Sequence, residues 1–166
     1  MADPLPTLDV TFAELAEVHV AAIRSIVAAE DVPEFMADAL GMVAEALGGA
    51  GIAPVDPPFA RYFSMGAEGL EIAAGFPVAG AFHAAGVVGP AVLPAGPAAV
   101  ATFRGSFDGI EAAWAALRLR IVEAGRVPGD DPWEVYVVGP GSGVDEAAWR
   151  TELVWPLAPP AEGGLR

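Results

Sequence analysis

The chain has 166 residues, 54% of them hydrophobic, which suits one domain with a real core rather than a disordered, low-complexity chain. Its 22 acidic residues against 8 basic ones give a formal charge of -14; such a surface keeps an apolar chain soluble and attracts cations, and it argues against direct nucleic-acid binding. Every basic residue is arginine and cysteine is absent, which excludes Schiff-base and phosphate-loop lysines, disulfides and thiolate chemistry.

The opening MADPLPTLDV lacks the basic start and apolar run of a signal peptide, and short flexible termini are expected. Ala13 to Ala28 (AELAEVHVAAIRSIVA) predicts a strand with Val18, Val20 and Ala22 on one face. Asp31-Val-Pro-Glu is a helix start with Asp31 as cap. The helix places Met36, Leu40, Val43 and Leu47 on one stripe and is expected to stop at Gly48-Gly49. The strands FARYFSM and LEIAAGFPV follow. From Ile72 to Phe103 no residue is charged, yet Pro77, Pro90, Pro94 and Pro97 divide the segment. Its longest proline-free piece, Val78 to Gly89, falls short of the roughly 20 residues of a membrane helix. A soluble, cytoplasmic protein without membrane contact is expected.

The second half repeats the plan. AAVATFRGSF predicts a strand whose ATFR echoes the earlier AAIR. Asp108 caps a helix with Ile110, Trp114, Leu117 and Ile121 at helical spacing, and Gly125 ends it. The strand WEVYVV, the turn-rich GPGSG and the strand TELVWPL complete the half. GIAPVDPPFARY (51–62) and GRVPGDDPWEVY (125–136) match at glycine, three prolines or aspartates, an aromatic and a tyrosine, always 74 residues apart. This register indicates an internal duplication. The predicted fold is therefore α+β: duplicated strand–helix–strand–strand modules about a pseudo-twofold, an antiparallel sheet with two main helices, and a ligand cleft between the halves. The whole chain, 1–166, reads as a single domain with repeats at about 13–78 and 92–157.

Strand alternation puts Glu134, Tyr136 and Val138 on one face of WEVYVV and Trp133, Val135 and Val137 on the other. The repeat-mate of Glu134 is Ala60, so duplication does not demand an acid there. A carboxylate beside a tyrosine in an apolar cleft suits a lipophilic cation; a solvated glutamate on an outer face fits the same pattern. Tyr62, repeat-mate of Tyr136, is either the opposite pocket wall or a core residue with its hydroxyl at the rim. Trp149 is a lid or a ligand wall, whereas Trp114 reads as core. GPGSG fails the dinucleotide pattern because Val144 follows it, and Ser142 has no histidine partner. His19 and His83 lack ligand-spaced carboxylates, so neither a metal nor a cofactor is expected.

The order PPFARY, LEIAAGFPV, VLPAGPAAVATFRGSF, WEVYVVGP and WRTELVWPL resembles the GyrI-like small-molecule-binding domains, also called AraC or bacterial effector-binding domains, from about Ala13 to Leu157. The resemblance implies that Glu134 is the pocket carboxylate that meets cationic amphiphiles in the family's multidrug-sensing regulators, with Tyr136 and Trp149 as walls. Those regulators carry a DNA-binding helix-turn-helix for which this chain has no room, so a stand-alone binder is expected. A second acid often found two residues beyond the position of Glu71 is replaced by Ala73. Stand-alone members resemble drug-binding or sequestering proteins linked to drug resistance, gyrase-inhibitory proteins, and hydrolases that open the cyclopropane ring of genotoxic natural products. In a hydrolase Glu134 would be the catalytic base, a role that suits a buried carboxylate. Binding is the first reading because no positioned histidine accompanies Glu134.

Overall fold

The computed structural model describes residues 8–140 and 142–159. The expectation of flexible ends falls on residues 1–7 and 160–166, outside the described residues, as does the middle of GPGSG at residue 141. Among the described residues nine strands and two α-helices follow one another as β1 (Asp9–Leu15), β2 (Val18–Val27), α1 (Val32–Ala50), β3 (Phe59–Gly66), β4 (Gly69–Pro77), β5 (Gly89–Leu93), β6 (Gly96–Arg104), α2 (Ile110–Glu123), β7 (Val127–Pro128), β8 (Trp133–Val138) and β9 (Arg150–Ala158). The main sheet runs β1-β6-β9-β8-β3-β4-β2-β5 with every neighbour antiparallel, and the short β7 pairs with β9.

The strand expected over Ala13 to Ala28 is in fact two. The chain breaks at Ala16-Glu17, so that β1 crosses to pair with β6 in the other half while β2 pairs with β4 and β5. Within β2 the alternation holds. Val20 and Ala22 join Phe59, Leu93, Ala98, Trp133 and Val154 in a core on one face of the sheet, while Ala21 and Ile23 pack on the other beneath α1. That first core joins β2 and β5, at one end of the strand order, to β6 near the other end, so the sheet curls on itself. The other face carries both helices. Val43 and Leu47 of α1 pack on β2 and β4, and Leu117 and Ile121 of α2 pack on Ala99, Ala101 and Leu153 of β6 and β9.

Neither helix starts as expected. A 3-10 turn, Ala29–Asp31 or Phe107–Gly109, precedes each, and neither Asp31 nor Asp108 caps with its side chain. Helix α1 runs through Gly48-Gly49, because only its end requires a left-handed residue. Gly51 supplies it with φ 72, and Gly125 does the same after α2 with φ 77.

Strands β3 and β8 join the halves. Ala60 lies across from Glu134, the amide of Tyr62 donates to the Pro132 carbonyl at 3.0 Å, and the amide of Tyr136 donates to Pro58 at 2.9 Å. The bonds are reciprocal under the 74-residue offset, and a register shift follows each tyrosine: one between Tyr62 and Ser64, the other between Tyr136 and Val138. These matches, with a strand order that reads alike from either end, are consistent with the duplication. The bulge also ends the simple alternation predicted for WEVYVV at Tyr136, because a bulge re-aims the side chains after it.

Candidate functional site

Trp133 and Val135 belong to the helix-free face, so pleating aims Glu134 and Tyr136 at the face between the two helices. Glu134 is 5% exposed. Its Oε1 accepts from the hydroxyls of Tyr136 at 2.6 Å and Tyr62 at 2.9 Å, and its Oε2 accepts from Nε1 of Trp114 at 2.7 Å. Strand β8 thus supplies the acid and one phenol, β3 the second phenol, and α2 the indole.

All three donors are neutral, and among the described residues no arginine pairs with Glu134. Arg61 shares β3 with Tyr62 but points to the other face, where its Nε donates to the Asp131 carbonyl at 3.1 Å and its guanidinium lies 5.5 Å from the Trp133 ring. Burial pushes the pKa of both phenols well above the ordinary value near 10, reinforced for Tyr62 by the Glu134 charge and for Tyr136 by Tyr62 and Glu134. Both tyrosines therefore remain protonated donors.

The structure brings Glu134, Tyr136 and Tyr62 together through these bonds. Trp149 stands one ring further out: Phe107 packs against Trp149 at 5.2 Å between centroids and against Tyr136 at 5.7 Å. Trp114, which its spacing assigns to the core, is instead a direct partner of the acid. Its ring still packs, edge to face on Trp155 at 5.4 Å. The signal that could have found it is chemical, since a buried indole N–H has to meet an acceptor. Phe107 is a second residue that pattern missed, and no periodicity marks it.

Two surface depressions of about 360 Å³ lie elsewhere, one between the end of β2 and the start of α1 and one between Met42 and the loop around Val87. Neither touches Glu134. Glu134 itself is closed off from solvent, with its three donors folded onto the acid. No group of three His, Asp or Glu among the described residues is placed to hold a metal, and no described helix is long and apolar enough to cross a membrane.

A curled antiparallel sheet with two helices on one face is an α+β fold, and here it sets one acid among phenol and indole donors. The chain belongs to the GyrI-like family, since the model of the GyrI-like small molecule binding domain matches residues 8–158. No curated protein matches the chain. Among solved structures, the EcmrR C-terminal domain is similar over 91% of this chain and 98% of its own, with 20% identity and a TM-score of 0.79. This chain spans 57% of the longer EcmrR chain seen in a complex with DNA. A hydrolase encoded by lin2189 of Listeria innocua covers 90% of this chain and is covered over 91%, with 10% identity and a TM-score of 0.67. SAV2435 bound to tetraphenylphosphonium covers 90% and is covered over 95%, with 12% identity and a TM-score of 0.53. At these identities the likeness concerns the fold.

Proposed function

We propose that the domain binds flat or amphipathic organic cations, in the manner of a multidrug-type binding or sequestering protein, with Glu134 as the charge-reading group and Tyr62, Tyr136 and Trp149 as ring walls. One observation carries this reading: Glu134 is buried among neutral donors with no arginine paired to it among the described residues. The three hydrogen bonds solvate the carboxylate without neutralising it, and a buried charge with no counter-charge is costly, so an organic cation is the partner that suits it. The tetraphenylphosphonium complex of the similar SAV2435 fold supports the same ligand class.

A micromolar ligand needs about 8 kcal/mol. A cation–π contact offers roughly 0.5–2 kcal/mol, so burial of ring area at about 25 cal/mol per Å² supplies most of the rest. Titration of a cationic dye and a neutral planar analogue into wild type and Glu134→Gln, read by tryptophan fluorescence, tests this. Loss of at least about tenfold, 1.4 kcal/mol, for the cation alone is expected. Equal losses for both ligands would mean that Glu134 shapes the pocket and does not read charge.

The geometry also favours one second reading, hydrolysis of a strained-ring electrophile such as a cyclopropane. Glu134 would take a proton from a water whose oxygen bonds to a ring carbon as a ring C–C bond breaks, Tyr136 would protonate the carbon released, and the proton held by Glu134 would restore the Tyr136 hydroxyl across their 2.6 Å bond. If Glu134→Gln kept binding and abolished turnover of such a substrate, this reading would replace simple binding.

A further inference from the structure

Two buried polar atoms have no hydrogen-bond partner among the described residues: Nε1 of Trp149 and Oγ1 of Thr151. Thr151 is wholly inaccessible, at 0% exposure. Leaving such groups unpaired is costly, and in native proteins it points to a missing partner.

Their positions point to which partner. Trp149 has extended backbone (φ -64, ψ 148) leading straight into β9, so its side chain and that of Thr151 leave the chain on the same side. Thr151 lies across from Tyr136 in the β8–β9 ladder, and Leu153, next on that side, lies across from Glu134. The row Trp149–Thr151–Leu153 therefore flanks the row Tyr136–Glu134. Phe107 touches both Trp149 and Tyr136 and is 36% exposed, on a short turn entered through Gly105 at φ 120. Its ring is the cover that would have to swing aside.

An indole N–H only donates, whereas a hydroxyl donates or accepts. A neutral sp² oxygen, with two lone pairs, satisfies both at once. A carboxylate or phosphate oxygen would meet the Glu134 charge nearby. We propose that Trp149 and Thr151 form a subsite for a neutral carbonyl oxygen of the ligand, beside the charge-reading acid. The inference rests on the binding reading above and extends it to planar aromatic molecules that carry a ketone, amide or quinone oxygen.

Fluorenone and fluorene share one tricyclic skeleton and differ in the carbonyl. Calorimetric titration of both into wild type, Thr151→Val and Trp149→Phe is the test. Wild type is expected to prefer fluorenone by about tenfold, in line with one or two hydrogen bonds. Each variant should cut that ratio to about threefold or less, and Thr151→Ser, which keeps the hydroxyl, should retain it. Should Thr151→Val not fold, Trp149→Phe and Thr151→Ser still decide the matter. No preference in wild type, a preference that survives in both hydroxyl-less and indole-less variants, or failure of both compounds to bind would overturn the subsite. A bridging water that stays in place gives the first of these outcomes. The ketone–hydrocarbon ratio involves no charge, so it fails independently of the Glu134→Gln experiment.

Discussion

Glu134 lies across the sheet from Ala60, its own counterpart in the repeat, so only one of the two repeats carries the acid. Around that acid the two phenols behave as neutral donors, with consequences for alkaline stability. Their pKa values in the folded chain are raised above the ordinary value near 10. A raised value favours the protonated form in the folded state, so the stabilisation is complete below about pH 10 and falls as pH climbs toward the folded value. Urea midpoints should be flat from pH 8 to about 10 and then fall, with a limiting slope of about 1.4 kcal/mol per pH unit for each tyrosine above about pH 10. Tyr62→Phe or Tyr136→Phe should flatten it. The chain has only 2 tyrosines, so tyrosinate absorbance reports this pair alone and should rise only with unfolding. Pattern could place these residues because strand alternation and the repeat register both act on them. It missed Trp114, because helical spacing explains a buried ring fully and carries no information about what the indole nitrogen meets.

Helix α2 is tied to the sheet by that nitrogen. Trp114→Phe keeps the packing on Trp155 and leaves Oε2 of Glu134 without its donor, a loss of about 1.5–3 kcal/mol for a bond to a charged acceptor. Faster amide hydrogen exchange along α2 than along α1 is the expected sign. In the other half the tight point is the β2–β4 pair. A Cβ at Gly75 would run into the backbone carbonyl of Ala21, so Gly75→Ala should destabilise by about 1–3 kcal/mol, seen as a lower melting temperature. Apolar periodicity made most of the elements legible: β3, β4, β6, β8, β9 and both helices lie where the sequence puts them. Helix starts were not legible, since an aspartate before an apolar run looks the same whether it caps with its side chain or closes a 3-10 turn. The β1/β2 break was equally hidden, because nothing local in ELAEVHV says that its two sides pair with different halves.

Over the whole molecule the sheet order follows from the duplication only if each half lends a strand to the other: β1 to β6, and β5 to β2. Such long-range exchange is invisible to any local pattern. It predicts slow folding, in the millisecond-to-second range typical of non-local β pairing, to be read as a single refolding phase by tryptophan fluorescence.

Strand β9 lies at the centre of its half, between β6 and β8, yet it is made after both. At ordinary translation rates of about 5–20 residues per second, β1 waits roughly 7–30 s for the last of its supporting sheet to leave the ribosome. Throughout that interval a chain that is 54% hydrophobic has its apolar strands made and its central strand missing. Nascent chains halted just before Arg150 should therefore remain protease-sensitive and held by chaperones, and release of the last nine strand residues, Arg150–Ala158, should convert them to a resistant form.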